Sequence, residues 1–183
     1  MKAFALRVVE AVPLAVFLIY MTVMDPRAQA EWRTPYYAAT ALALVGTVAL
    51  WRAGATLNRI YLGIALYFVS GTLALVTRWP WLNEEYGRLE GTAMLFWVLG
   101  VGVVATVVSA RGYVGIEAPP RDVRNASWLL LGITASATVV SLAFLGNRVL
   151  SSFAPFIAVF AAQALIKAGV ARKMRASHSR GLR

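Results

Sequence analysis

With 60% of its 183 residues hydrophobic and 14% charged, this chain falls well short of the roughly 25% charged residues usual in a soluble domain. Its net charge of +10 does not point to nucleic acid, because the basic residues flank apolar stretches instead of lining one face of a folded module. Cysteine is absent, which excludes disulfides, thiolate metal sites and a cysteine nucleophile.

Six apolar stretches follow in order. The first runs from about Leu6 to Met24 and stops at Asp25-Pro26. The second, about Pro35 to Trp51, follows the cluster Trp32-Arg33-Thr34-Pro35-Tyr36-Tyr37 and is short at its apolar core. The third, about Leu57 to Thr77, ends in Arg78-Trp79-Pro80-Trp81; a loop with Glu84, Glu85, Arg88 and Glu90 leads into the fourth, about Leu89 to Ser109. A loop with Arg111-Gly112-Tyr113, Glu117 and Pro119-Pro120-Arg121-Asp122 precedes the fifth, about Ala126 to Leu145. The tight Gly146-Asn147-Arg148 turn makes the fifth and the sixth, about Val149 to Gly169, antiparallel neighbours. Each stretch is near the ~20 residues that a helix needs to cross a ~30 Å hydrocarbon layer. Helix is the reading that satisfies the backbone in lipid, and the alternation of a membrane β-strand is missing. The expected fold is therefore all-α: a polytopic bundle of about six transmembrane helices over residues 1–171, with a basic cytoplasmic tail over 172–183.

Charge sets the expected orientation. The odd-numbered connections carry Arg27, Arg33, Arg78, Arg88 and Arg148; the even-numbered ones and the two ends carry the other 13 of the 18 basic residues. Short cytoplasmic loops retain Lys and Arg, so both termini are expected in the cytoplasm, with anionic lipids of that leaflet as partners. The first segment also resembles a secretory signal, with Lys2 and Arg7 ahead of an apolar run and Ala28-Gln29-Ala30 as a small-x-small site. Glu10, Pro13 and Asp25-Pro26-Arg27 argue against cleavage there.

Few residues offer chemistry. Glu10 lies inside the first span, three residues before Pro13, and an ionisable group at that place is a default functional candidate. Its alternative is to reach the cytoplasmic surface and pair with Arg7 on the same helical face. Glu84, Glu85 and Glu90 offer carboxylates for acid–base work or a cation, or form a solvated external loop. Trp32, Tyr36, Tyr37, Trp79 and Trp81 read as an interfacial aromatic belt. Of the midplane polar residues Ser70, Thr72, Thr106, Thr134, Ser136, Thr138, Ser141 and Gln163, the hydroxyls can bond their own helix, while Gln163 needs another helix or water. Ala154, Ala158 and Ala162 make a small-residue stripe, a candidate helix-contact face within the bundle or toward another membrane protein. Gly63, Gly71, Gly100 and Gly102 thin the third and fourth spans. His178 sits in the basic tail as a solvated side chain. No phosphate loop, HExxH or Gly-x-Ser-x-Gly elbow is present, and no catalytic residue, metal site or cofactor is expected.

Four short motifs, in order, carry a family resemblance: Glu10-Ala11-Val12-Pro13-Leu14, Tyr37-Ala38-Ala39-Thr40-Ala41-Leu42, Val69-Ser70-Gly71-Thr72-Leu73 and Asn125-Ala126-Ser127-Trp128. Read together, the chain resembles the intracellular septation protein A family of bacterial inner-membrane proteins. The resemblance implies a non-enzymatic role in cell-envelope maintenance and septation, through contacts with division or wall-synthesis membrane proteins; a second copy of the chain is a further candidate partner for the small-residue face. The alternative is a small transporter or channel with a polar path near Glu10 and Gln163.

Overall fold

In the computed structural model the described residues are 2–24, 31–147 and 149–180, with side chains described for 8–24, 31–147 and 149–176. The stop at Asp25-Pro26, the Ala28-Gln29-Ala30 motif, Arg148, and the side chains of Arg7 and His178 lie outside them. Helix is the regular structure among these residues: α1 (Lys2–Met24), α2 (Arg33–Arg52), α3 (Arg59–Val76), α4 (Pro80–Leu89), α5 (Gly91–Val108), α6 (Pro120–Ala143) and α7 (Ala154–Arg180), the last entered through a π-helical turn at Val149–Phe153. Helix α7 continues without a break to Arg180, into the segment expected as a tail.

Four helical runs are long and apolar enough to cross a membrane: α3, α5, α6 and Val149–Ala176, while α1 contributes the shorter apolar run Val8–Met24. Protein covers only 44%, 39%, 44% and 33% of those four apolar windows, so most of each must face another apolar medium. Val104, Val107, Val108, Val139 and Leu165 all point outward. Apolar surface on this scale belongs in lipid, and the chain reads as a multi-pass membrane protein. Helix α2, with Arg33, Thr34, Tyr36, Tyr37, Thr40, Thr47 and Arg52 in its sequence, is not among the four.

The helix ends follow from local chemistry. Gly54, at φ +65°, closes α2: its N–H donates to Trp51 O and the Ala55 N–H to Leu50 O, both at 3.0 Å. This is the paired bonding of a Schellman turn, which needs a residue free to take a left-handed conformation. Asn58 caps α3 by accepting from the Ile60 N–H at 3.1 Å. Pro120 sits in the first turn of α6, where its missing N–H costs nothing. Asn147 Oδ1 accepts from the Val149 and Leu150 N–H groups, each at 3.2 Å, and opens the final helix.

The chain divides into two compact units, Met1–Arg88 and Leu89–Arg183. In the first, α2 packs on α1 and α3 around Leu14, Phe17, Tyr36, Ala39, Ile64, Tyr67 and Phe68. Helix α4 occupies the stretch expected as an acidic loop. It buries Tyr86, exposes Trp81, Glu84 and Arg88, and lies between two residues with positive φ, Arg78 (56°) and Glu90 (49°). The helix is short and carries Glu84, Glu85 and Arg88, so its sequence reads as a polar loop between longer apolar stretches.

In the second unit α6 packs on both α5 and α7, as the tight turn before the last helix predicts. The α5–α6 connection is folded inward. Tyr113 and Val114 are fully buried, the Tyr113 hydroxyl is 3.2 Å from Thr134 Oγ1, and its ring lies over Gly102. Burial pushes the Tyr113 phenol up to about 12, against the opposing pull of the Thr134 hydrogen bond.

Close approach makes Gly71 and Gly100 respond in opposite ways to the same change. A Cβ at Gly71 would lie 2.3 Å from the Tyr36 ring, whereas a Cβ at Gly100 meets nothing within 4 Å. Gly71→Ala is expected to cost about 1–3 kcal/mol by overpacking. Gly100→Ala is expected to leave stability unchanged or raise it by up to about 1 kcal/mol through helix propensity. Thermal unfolding of the two variants in detergent measures the difference.

Candidate functional site

Glu10 acts on a helix other than its own. It is half-buried on α1, and its Oε1 accepts from the Asn58 backbone N–H at 3.1 Å. The Asn58 side chain in turn accepts from Ile60, so two open donors at the start of α3 are satisfied by two residues. The carboxylate also lies at the positive end of the α3 dipole, an arrangement worth about 0.3–1 kcal/mol and up to about 2 when partly buried. Neither sequence reading of Glu10 contained this contact, because it requires residue 58 to return to residue 10. Pro13 is buried one turn further along α1.

The polar interior of the first unit is built from tyrosines and threonines. The Tyr36 and Tyr67 hydroxyls are 2.6 Å apart, and the Tyr67 ring stacks on Tyr86 at a centroid distance of 4.8 Å. Ser70 donates to Tyr67 O at 2.9 Å; with its single proton used, it receives the Tyr86 hydroxyl at 2.8 Å. Thr40 lies within 2.9 Å of Phe68 O and 2.7 Å of Thr72 Oγ1, and Thr72 reaches Tyr36 O at 3.2 Å. Phe17 closes the cluster edge-on to Tyr36 at 5.4 Å. Tyr36 is thus an interior residue, 2% exposed, and not part of the aromatic belt. Tyr37, Trp79 and Trp81 are exposed and Trp32 is intermediate. The signal available in the sequence was pairing by size: Gly71 leaves room for a ring, and Tyr36 fills it.

A second polar cluster joins three segments of the second unit. Ser151, in the π-helical turn, donates to the Glu90 carboxylate, and Ser141 donates to Ser151 O. Since the Ser141 proton is used there, Thr92 must donate across the 2.6 Å to Ser141 Oγ. Thr92, Ser141 and Ser151 are fully buried. The cluster ties the first turn of α5 to the last turn of α6 and to the entry of α7.

The acids Glu84, Glu85 and Glu90 have separate surroundings. Glu84 is exposed, Glu85 pairs with Arg88 at 2.8 Å, and Glu90 bonds Ser151. No group of three His, Cys, Asp or Glu able to hold a metal occurs among the described residues. Thr106, Thr134 and Thr138 bond carbonyls four residues back on their own helices, as expected, whereas Thr72 and Ser141 bridge segments. Gln163 is buried at 5% exposure on the side of α7 that carries Pro155, Phe156 and Val159. Of the alanine stripe, Ala158 is exposed while Ala154 and Ala162 are intermediate.

Compared with family models, curated proteins and solved structures, the chain matches none of them.

The contact at the start of α3 separates charge from hydrogen bonding. Glu10→Gln keeps an acceptor for the Asn58 N–H and is expected to cost less than about 1 kcal/mol. Glu10→Ala removes it and is expected to cost about 1–2 kcal/mol, with faster hydrogen exchange confined to the first turn of α3. Exchange measured by mass spectrometry on both variants checks the location as well as the size.

Proposed function

We propose that this chain is a six-span inner-membrane protein with both termini in the cytoplasm, acting without catalysis through lateral helix contacts. Cell-envelope maintenance and septation is the setting that its motif resemblance implies. The sorting of 5 basic residues to one set of connections and 13 to the other supports the orientation.

One observation carries the contact reading. Helix α7 packs inward through Pro155, Phe156, Val159 and Gln163, yet leaves Ala158 exposed between two half-exposed alanines at four-residue spacing. In lipid, where the hydrophobic effect does not draw helices together, a strip of small side chains lets a second backbone approach closely enough for dispersion and packing to hold it. The interior supports the same reading from the other side. Among the described residues every buried side-chain polar atom has a partner within the chain, so the interior holds no unsatisfied group waiting for a substrate.

The native chain has no cysteine, so single cysteines report cleanly. Ala158→Cys is expected to crosslink to another polypeptide in native membranes, with weaker products from Ala154→Cys and Ala162→Cys. Val159→Cys, on the inward side, is expected to give none. Equal labelling at 158 and 159, or the absence of intermolecular products at all three alanines, rejects the contact face. A reporter fused after Arg183 is expected to be active on the cytoplasmic side only.

A further inference from the structure

We propose that the first turns of α6 and the last turns of α7 together form a two-armed site for anionic phospholipid headgroups. The proposal rests on the membrane reading above. One arm is Arg121 and Arg124 on α6, the other Arg172 and Arg175 on α7, and all four are exposed. Within each helix the two arginines are three residues apart and share a face.

The arms are held together by an ion pair. Lys173 Nζ lies 2.6 Å from Asp122 Oδ1, and the Asp122 side chain is only 21% exposed. Asp122 sits between Arg121 and the buried Val123, and Lys173 follows Arg172 directly. The pair therefore fixes the end of α7 beside the start of α6 and leaves the neighbouring arginines to face outward. The other described acid near this end, Glu117, is taken by Arg111. Both local carboxylates are thus engaged by cations other than the four arginines.

Position along the helices selects the ligand. Arg172 follows the apolar Ala168-Gly169-Val170-Ala171, and Val123 begins the buried side of α6 immediately after Asp122. Both arms therefore stand at the margin of hydrocarbon, where lipid phosphates lie. Trp128 is 55% exposed and continues the Arg121–Arg124 face one turn further in, as an interfacial aromatic does. Leu165, 73% exposed, continues the Arg172 face toward the apolar side in the same way. Guanidinium groups match phosphate by bidentate hydrogen bonding, and the apolar residues beyond them match acyl chains. A soluble anion would use the first feature and not the second.

Native mass spectrometry of the full chain in detergent, titrated with phosphatidylglycerol or with phosphatidylcholine of the same acyl chains, tests the site. Preferential retention of phosphatidylglycerol is expected. Arg121→Gln/Arg124→Gln and Arg172→Gln/Arg175→Gln are each expected to weaken it by about thirtyfold, from the loss of two headgroup charges. Arg33→Gln/Arg78→Gln, an equal charge loss elsewhere, is expected to change nothing. Asp122→Asn is the decisive variant: it raises net charge by one but releases Lys173, so a built site binds more weakly and a diffuse positive surface binds more tightly. Equal retention of the two lipids, equal losses in all three double variants, or tighter binding by Asp122→Asn overturns the proposal. Because binding is read in micelles, a reporter fusion that places the α7 end outside the cell removes the topology and leaves this result standing.

Discussion

Inside a hydrocarbon layer a polar group has only its own chain to bond to, and each one left bare costs several kcal/mol. That constraint organises both units of this protein. In the first, the hydroxyls of Tyr36, Tyr67, Tyr86, Ser70, Thr40 and Thr72 are bonded to one another and to the carbonyls of Tyr36, Tyr67 and Phe68. In the second, Thr92, Ser141, Ser151 and Glu90 form a directional chain. Helices that share a hydroxyl cannot slide past each other without exposing it, so these bonds fix register as well as satisfying atoms.

Close backbone approach is the companion requirement, since dispersion falls off within fractions of an ångström. Gly71 admits the Tyr36 ring, Gly102 the Tyr113 ring and Gly46 the Tyr61 hydroxyl. In each case the aromatic group that fills the space also carries a hydroxyl with a partner: Tyr67, Thr134 and the Ala43 carbonyl, respectively. Each of these three glycines is thus the negative of a tyrosine elsewhere. The exposed alanine strip of α7 has small side chains without such a counterpart within its own unit, and that contrast sets it apart from ordinary interior packing.

Much of this was legible in the sequence, and the physical division is clear. Apolar length and breaker residues located the apolar cores of the six long helices, because hydrophobic extent is a local property, but not the polar ends by which α6 begins at Pro120 and α7 reaches Arg180. Tertiary partners were not local. Asn58 as the cap that receives Glu10, and Tyr36 as an interior residue, depend on contacts across 48 and 31 positions. Tyr36 and Tyr37 look alike in the chain; only the direction of α2 against α3 makes one buried and the other 43% exposed. Helix α4 was lost for a different reason. Its charged residues Glu84, Glu85 and Arg88 resemble a loop until Tyr86 finds the Tyr67 ring.

The start of α5 shows how two local irregularities require each other. Glu90 adopts φ +49°, a conformation that costs a residue with a Cβ roughly 1–3 kcal/mol. Ahead of α7 the chain makes a π-helical turn, which is rare in itself. Gly91 lies against that turn so closely that a Cβ would stand 2.8 Å from Ser151 O, which leaves residue 91 no alternative to glycine. Residue 90, between α4 and α5, holds that positive φ next to the closely packed Gly91. Its carboxylate is then carried to the Ser151 hydroxyl, while the Ser151 carbonyl is received by Ser141. The π turn is what places the carbonyl and the hydroxyl of one serine toward two different helices.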